Sequence, residues 1–256
     1  MATASSMKRK MTVSKSCSNR DGLQPSFSGV PRVKVVFFGL LTPMPFMNIK
    51  PLFTIVSVAA ALLLQANVSS APIQLFDGRT FRGWTGDTNK TFRIEDHAIV
   101  AGNLSERIPR NEFLCTTRSF TNFILRLKFK LVGEGANGGV QIRTLRHAHD
   151  NEVSGYQADL GDPSWWGSLY DESRRNKVLA QADMNQLKRA LRRNDWNDYV
   201  IRCEGRRIRL AINGVQTVDY TEPDENIPSS GIIAVQIHAG NRSEAWYKDI
   251  TIDELP

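Results

Sequence analysis

The sequence lacks the short motifs that identify several large enzyme classes. It has no glycine-rich phosphate loop, no CxxC pair and no GxSxG elbow. It also has no dinucleotide-binding motif. A P-loop site, a paired-thiol site, an α/β-hydrolase nucleophile and a bound dinucleotide are therefore not expected. No repeat of 20–50 residues is visible, which argues against a propeller or a solenoid.

Excess positive charge is absent from most of the chain. The formal net charge is +7, but residues 1–71 hold eight basic residues and one acidic residue, and the rest of the chain holds 25 of each. Nucleic-acid binding requires a basic surface on the folded domain. The charge distribution therefore predicts no nucleic-acid partner.

A long hydrophobic run is also missing. The apolar stretch at residues 52–64 is shorter than the roughly 20 residues that a permanent transmembrane helix needs. It follows Met47 to Lys50 and precedes the small and polar residues 65–71, the arrangement of a signal peptide. We expect residues 47–71 to be removed, leaving a secreted or periplasmic protein without a permanent membrane span.

Residues 1–46 form an N-terminal extension that is rich in Ser, Lys, Pro and Gly. The simplest interpretation is that translation begins at Met47 and that this extension is misannotated or disordered. The alternative is a long leader with two apolar segments that keep the protein tethered. Both interpretations place the folded domain at residues 72–256.

Cysteine is scarce, with three in the chain and two, Cys115 and Cys203, in the expected mature domain. In an oxidising compartment these two could form a disulfide. Two buried free thiols are the alternative. The sequence leaves both open.

Short alternating segments dominate the mature domain. In Asn122–Leu131 the residues Leu125, Leu127, Phe129 and Leu131 alternate with Arg126, Lys128 and Lys130, which predicts a strand with one buried face. Asn213-Gly214 between two such segments predicts a two-residue hairpin turn. The only helical pattern is Met184–Arg193. Many antiparallel strands with one short helix predict an all-β sandwich of two sheets.

A series of short motifs then carries a family resemblance. In chain order they are Leu75-Phe76-Asp77-Gly78, Gly83-Trp84, Phe92 to Asp96, Asn137 to Arg143, Gly155 to Asp159, Gly167 to Tyr170, Trp196 to Tyr199, Asn213-Gly214, Gly231 to His238 and Trp246 to Ile250. Through them, residues 73–255 resemble the DUF1080 family, the 3-keto-disaccharide hydrolase or 3-keto-glucoside lyase/hydratase domain. The resemblance implies a concanavalin-like jelly roll, in agreement with the strand pattern.

The resemblance also implies a substrate, a 3-keto glycoside or disaccharide. A ketone at C3 acidifies the C2 hydrogen, so that a base can form an enolate, the enolate can expel the C1 substituent, and water can add back. Such an enzyme needs a base, an enolate stabiliser and an acid for the leaving oxygen. No cofactor is predicted, although a divalent metal stays open as the stabiliser. A separate dehydrogenase must supply the ketone.

Asp159 is the candidate base. Many relatives carry Glu where Gln157 stands, so if that Glu is their base, its role must shift in this chain or be lost. Gln157 and Asp159 share one face of their strand, which makes Asp159 the candidate to take over the role. Arg143 follows Gln141 on the same face of its predicted strand and is the candidate clamp for the enolate or for a sugar oxygen. A carboxylate bound at a strand end and a solvated arginine are the structural alternatives.

Further candidates come from the loop and strands that follow. Tyr170 is the candidate donor to the leaving oxygen. His238, at the end of its strand, is a candidate base, acid or metal ligand, with a purely structural role as the alternative. The remaining candidates are substrate-binding residues: Gln141, Gln157, Trp165, Trp166, Glu172 and Gln236. Arg143, Asp159, Tyr170 and His238 should converge on one concave sheet face.

The polar loop from His147 to Glu152 collects imidazole and carboxylate groups, but its spacing fits no known metal signature. We therefore assign no metal ligands. Two other function classes remain open: a lectin-like binding module that has lost catalysis, consistent with Gln157, and a structural surface domain.

Overall fold

The computed structural model describes residues 71–148 and 151–256. The predicted extension at residues 1–46 and all of the predicted signal peptide except Ala71 lie outside the described residues. Within the described part, the chain contains no helix long and apolar enough to cross a lipid bilayer.

Nearly all of the regular secondary structure in the described residues is β-strand. In chain order the strands are β1 (Ile73–Gln74), β2 (Trp84–Thr85), β3 (Phe92–Glu95), β4 (Ala98–Asn103), β5 (Glu112–Phe120), β6 (Phe123–Val132), β7 (Asn137–Arg146), β8 (Val153–Gly161), β9 (Leu169–Glu172), β10 (Lys177–Ala180), β11 (Asn197–Glu204), β12 (Arg207–Ile212), β13 (Val215–Thr221), β14 (Gly231–Ile237) and β15 (Ser243–Glu254). The described residues contain a single helix, α1 (Met184–Leu187), which lies between β10 and β11.

The strands form two antiparallel sheets. One sheet has eight strands in the order β13-β12-β11-β6-β15-β4-β3, with β1 pairing additionally with β15. The other has seven strands in the order β10-β9-β8-β7-β14-β5-β2. The predicted jelly-roll sandwich is therefore confirmed.

The core between the sheets follows from strand alternation. On β6, Leu125, Leu127, Phe129 and Leu131 are buried in it, whereas Arg126 on the opposite face is exposed. From β7, β8 and β14 of the seven-stranded sheet, the residues buried in this core are Val140, Ile142, Tyr156, Ala158, Leu160, Ile233, Val235 and Ile237. The intervening residues of these strands must therefore face away from the core.

The predicted hairpin at Asn213-Gly214 is present between β12 and β13. Both residues have positive φ, 49° for Asn213 and 79° for Gly214. A two-residue hairpin turn of type I′ requires positive φ at both positions, which is why Asn-Gly is favoured there. The turn sets Ile212 opposite Val215.

The helix is shorter than predicted. Asp183 caps it by accepting a hydrogen bond from the Asn185 amide at 2.8 Å, but the helix ends at Leu187 instead of continuing to Arg193. The side chain of Asn197 explains part of the difference, because it accepts from the Arg192 amide and donates to the Arg192 carbonyl. A side chain that bonds to these backbone groups replaces the helical hydrogen bonds that they would otherwise make.

Cys115 and Cys203 are both free and buried. Cys203 lies in the main core, whereas Cys115 belongs to a small cluster with Phe113, Val153 and Ala234. Burial raises the pKa of the Cys115 thiol to about 11 and that of Cys203 to about 12. Both thiols therefore stay protonated at neutral pH, so neither is a ready nucleophile.

Candidate functional site

A cavity of about 310 Å³ opens on the face of the seven-stranded sheet that is turned away from the core. Its lining residues come from the adjacent strands β7, β8 and β9, from the loop between β8 and β9, and from the residue after β14; they are Asn137, Gln157, Asp159, Trp165, Tyr170, Glu172 and His238. Six of these seven are predicted site residues. Three of the four predicted catalytic residues, Asp159, Tyr170 and His238, therefore share one cavity.

Asp159 is the most deeply buried acidic residue of this cavity, and 4% of the residue is exposed. Its Oδ1 accepts hydrogen bonds from the Leu160 amide at 2.9 Å and from Gln157 Nε2 at 3.2 Å. No described residue forms an ion pair with it. Burial raises the pKa of Asp159 to about 7, more than these two donors lower it. A carboxyl with such a pKa can release and take up a proton near neutral pH.

Gln157 connects Asp159 to a second buried amide. Gln157 lies opposite Gln141 in the β7–β8 pairing, and its Oε1 accepts a hydrogen bond from Gln141 Nε2. Gln141 is completely buried and does not line the cavity. The structure therefore places Gln157 in the cavity and Gln141 behind it.

Trp165 and Tyr170 form an aromatic wall. Their ring centroids lie 6.3 Å apart at an interplanar angle of 87°, an edge-to-face contact. Both side chains are partly exposed. Burial, followed by the nearby carboxylate of Glu172, raises the pKa of Tyr170, so its hydroxyl remains protonated and can donate.

Glu172 and His238 add two further titratable groups to the cavity. Burial and the neighbouring Glu152 raise the pKa of Glu172. His238 is exposed, and its Nδ1 lies 2.7 Å from the Ala239 carbonyl oxygen. Because a carbonyl oxygen can only accept, Nδ1 carries the hydrogen, and in the neutral ring Nε2 is then an acceptor that a ligand can use.

Arg143 does not reach this cavity. Its guanidinium donates to the backbone carbonyls of Thr121 at 2.8 Å and Gly205 at 2.6 Å, and to Asn122 Oδ1 at 3.2 Å. The prediction that it follows Gln141 on the same face assumed regular alternation. The β7–β8 pairing instead shifts register between Ile142 and Leu145, and Arg143 has a φ of 48°, as expected at a β-bulge.

Two other predicted binding residues also lie outside the cavity. Trp166 packs its ring against Phe129, with centroids 6.1 Å apart, and donates from Nε1 to Asp162. Gln236 is fully buried on β14 and does not line the cavity, although its side chain interacts with the carboxyl of Glu172, which does. The Trp165-Trp166 pair is thus divided, with one ring at the cavity and the other in the core.

Asn137 is the cavity residue that sequence reasoning missed as an individual site residue. It begins β7, and its backbone carbonyl accepts a hydrogen bond from the His238 amide at 3.0 Å. This contact brings the start of β7 beside the end of β14, which lies about 100 positions later in the chain. The only signal in the sequence was its place in the Asn137 to Arg143 motif.

Within the described residues, no group of three or more His, Cys, Asp or Glu side chains is arranged to hold a metal ion. In the polar loop considered above, His147 Nε2 lies 2.6 Å from Ser154 Oγ. His149 and Asp150 of that loop lie outside the described residues.

The match to a known family decides the identity of the domain. Residues 71–253 match the 3-keto-alpha-glucoside-1,2-lyase-like domain, which is most of the chain. The chain belongs to this family. The 3-keto-alpha-glucoside-1,2-lyase-like domain thus accounts for both sheets and for every residue of the cavity. A comparison with curated proteins finds no match.

Solved structures share the fold of this lyase-like domain at low sequence identity. A protein from Parabacteroides distasonis ATCC 8503, assigned as a glycosyl hydrolase, has a TM-score of 0.54 at 17% identity, covering 71% of this chain and 93% of its own. The carbohydrate-binding module CBM66 from Bacillus subtilis has a TM-score of 0.53 at 15% identity, covering 67% of this chain and 96% of its own. A protein with a galectin-like fold from Bacillus subtilis has a TM-score of 0.51 at 12% identity, covering 68% of this chain and 90% of its own. At these identities the likeness concerns the fold alone.

Proposed function

We propose that the domain cleaves 3-keto glycosides, with Asp159 as the base that removes the C2 proton. The electrons of the C2–H bond form an enolate with the C3 ketone. The enolate then expels the C1 oxygen substituent, leaving a C1–C2 double bond. Water adds back, its oxygen to C1 and a proton to C2, so that the net reaction is hydrolysis. Membership of the lyase-like family and a carbohydrate-sized cavity support this proposal.

The single observation that carries the proposal is that Asp159 is buried in the cavity wall with a raised pKa. A general base works best when its pKa lies near the working pH. The pKa of Asp159 is raised to about 7 by burial, and its side chain lines the cavity. No other carboxyl among the described cavity residues is as deeply buried.

The other cavity residues supply the remaining roles. Tyr170 stays protonated and donates to the departing C1 oxygen. Asn137 offers an amide donor to the C3 oxygen, a role that Arg143 cannot fill from its position. Glu172 and His238 accept hydrogen bonds from sugar hydroxyls.

The cavity volume supports a single sugar ring as the bound unit. At about 310 Å³ the cavity lies at the small end of the range for ligand pockets, roughly 300–1,000 Å³. Trp165 is partly exposed at its wall and can stack on the ring. The leaving group then extends toward solvent.

The proposal is tested by incubating the purified protein with 3-keto-trehalose or a 3-keto-glucoside in D₂O. We expect release of the C1 substituent and incorporation of deuterium at C2. Asp159→Asn should reduce kcat by about 10²–10⁴-fold, the usual contribution of a general base. Asp198→Asn is the matched control, because Asp198 is exposed and pairs with Lys128 on the other sheet. Turnover by Asp159→Asn at the wild-type rate would refute Asp159 as the base.

A lectin-like module is the second candidate function. The amide of Gln157, where many relatives carry Glu, and the exposed part of Trp165 favour it. Binding of a sugar by calorimetry, without release of the C1 substituent or deuterium exchange, would support this candidate and exclude the lyase.

We also propose that the protein acts outside the cytoplasm once residues 47–71 have been removed. N-terminal sequencing of the exported protein tests this, and the first residue should fall near Pro72. Retention of residues 47–71 on the mature protein would contradict it.

A further inference from the structure

The amides next to Asp159 form a chain that ends on one of its two oxygens. Gln141 Nε2 donates to Gln157 Oε1, and Gln157 Nε2 donates to Asp159 Oδ1 at 3.2 Å. We propose that Gln141 and Gly139 are positioning residues for Asp159, because together they hold Gln157 with its donor on Oδ1 and leave Oδ2 for the sugar. This inference rests on the proposed function, in which Asp159 is the base.

Gly139 provides the space that Gln157 occupies. A Cβ atom at position 139 would lie 2.7 Å from Gln157 Cδ and 2.8 Å from its Cγ. Such distances are sub-van der Waals contacts, so the Gln157 side chain lies flat over the β7 backbone only because residue 139 has no side chain. Gly139 and Asp159 are opposite each other in the β7–β8 pairing. A Gln157 side chain that lies over Gly139 therefore brings its amide next to the carboxyl of Asp159.

The direction of the hydrogen bonds follows from the chemistry of the carboxylate. Ionised Asp159 can only accept, so Gln157 must present its NH₂ group. Its carbonyl oxygen then faces Gln141, which must present its own NH₂ group. A flipped Gln157 would place its carbonyl oxygen against the carboxylate and its NH₂ group against another NH₂ group. Gln141 therefore holds Gln157 in the orientation that favours the base.

The result is an unequal use of the two carboxylate oxygens. Oδ1 accepts from both Gln157 and the Leu160 amide, whereas Oδ2 accepts no hydrogen bond from any residue that the structure describes. Oδ2 is thus the oxygen available to a bound molecule. A base with one oxygen anchored and one free is held in a single orientation, which favours transfer from a fixed C–H bond.

Other groups also face Asp159, and an experiment must separate them from the amide chain. Tyr170, Glu172 and His238 share the cavity with it. From the core side, Tyr199 on β11 and Tyr247 on β15 interact with its charge. The substitutions below leave all five in place.

The test is the titration of the Asp159 carboxyl, followed by ¹³C NMR in the full-length protein without substrate. Gly139→Ala should displace the Gln157 amide, and Gln141→Leu should release it. Each loses a donor to the ionised form, so the Asp159 pKa should rise by about one unit above the wild-type value. With a 3-keto-glucoside as substrate, the acidic limb of the pH profile of kcat/KM should shift to higher pH by the same amount.

A double-mutant cycle separates positioning from a general effect on the fold. Gly139 has no φ reserved for glycine, and the atoms nearest an added Cβ all belong to Gln157. In a Gln157→Ala background, Gly139→Ala should therefore produce no further change in the Asp159 pKa. Coupling of this kind is expected only for residues that act through each other.

An unchanged Asp159 pKa in folded Gly139→Ala and Gln141→Leu would overturn the inference. The inference would also be overturned if Gly139→Ala shifted the Asp159 pKa equally in the wild-type and Gln157→Ala backgrounds. Because the titration needs no turnover, the inference and the proposed function fail separately. A shifted pKa in a protein without lyase activity refutes only the function, and activity with unshifted pKa values refutes only the positioning role.

Discussion

The outer faces of the two sheets both carry polar residues, but they hold them in opposite ways. On the eight-stranded sheet, the partly exposed Lys128 lies 3.1 Å from Asp198 and 3.6 Å from Asp249, both of which are exposed. On the seven-stranded sheet, Asp159 is buried without an ion-pair partner among the described residues, and its neighbours are the neutral amides of Gln157 and Gln141. The charges on the eight-stranded sheet are thus paired with opposite charges and hydrated, whereas the carboxyl of Asp159 on the seven-stranded sheet is neither paired nor hydrated.

This difference indicates where the molecule accepts a cost in stability. Exposed ion pairs contribute little to stability and leave the charge of each group unchanged. A buried carboxyl without a cation has its pKa raised and becomes able to exchange protons near neutral pH. Polarity alone therefore did not distinguish the two faces; burial without a counter-charge does.

The largest expected effect is that of Asp159→Asn on the free energy of unfolding. Asp159 has a pKa of about 7 in the folded protein and an ordinary value of 3.8, so the folded state binds the extra proton and stability falls as pH rises from about 4 to above 7. Asp159→Asn removes this loss, because an amide does not ionise. Chemical denaturation at pH 8 should show a gain of roughly 4 kcal/mol at most.

At pH 4 the same substitution should have almost no effect on stability, because wild-type Asp159 is protonated in the folded state. Asp198→Asn, on the hydrated face, is the control and should show no comparable dependence on pH. An Asp159→Asn protein that is less stable than wild type at pH 8 would remove the contrast between the two faces.

The next effect is on the rate. If Asp159 acts as the base, kcat/KM for a 3-keto-glucoside should rise about tenfold per pH unit below 7 and level off above it. Between pH 5 and pH 8 the total change should be about 100-fold. Stopped assays across this range measure it, and a flat profile would assign the proton transfer to another group.

A smaller effect separates the tryptophans of the two faces. Trp165 lies at the cavity wall, whereas Trp196, near the outer face of the eight-stranded sheet, is covered by Lys130 and Lys248. Trp165→Ala should raise KM about 2- to 13-fold through the loss of stacking, which is worth about 0.5–1.5 kcal/mol. Trp196→Ala should leave KM unchanged, and equal effects of the two changes would count against a sugar at the cavity.

The sequence predicts these faces well where alternation is regular. Leu125 and Phe129 indicate the core side of β6, and Tyr156 and Ala158 place Gln157 and Asp159 on the opposite side of β8. The hairpin at Asn213-Gly214 follows in the same way, because its backbone requirement is local. The fold class and the central part of the site are thus local consequences of the sequence.

The rest of the site depends on contacts that no local pattern contains. A β-bulge carries no periodic signal, so Arg143 could not be separated from Gln141. A loop has no period at all, so nothing distinguished Trp165 from Trp166. Asn137 reaches the cavity through its contact with the His238 backbone, which is made only in the folded sandwich.

The smallest expected effect is on the hydrated face, where removing a charge should matter least. Lys128 is 40% exposed in its side chain and pairs with two exposed acids. Lys128→Gln should therefore cost no more than about 1 kcal/mol in denaturant unfolding, and less in high salt, which screens such pairs. The same salt should leave the Asp159→Asn effect at pH 8 nearly unchanged, because desolvation, unlike attraction between exposed charges, is not screened. Equal salt dependence at the two positions would mean that Asp159 is hydrated, and the distinction between the two faces would then disappear.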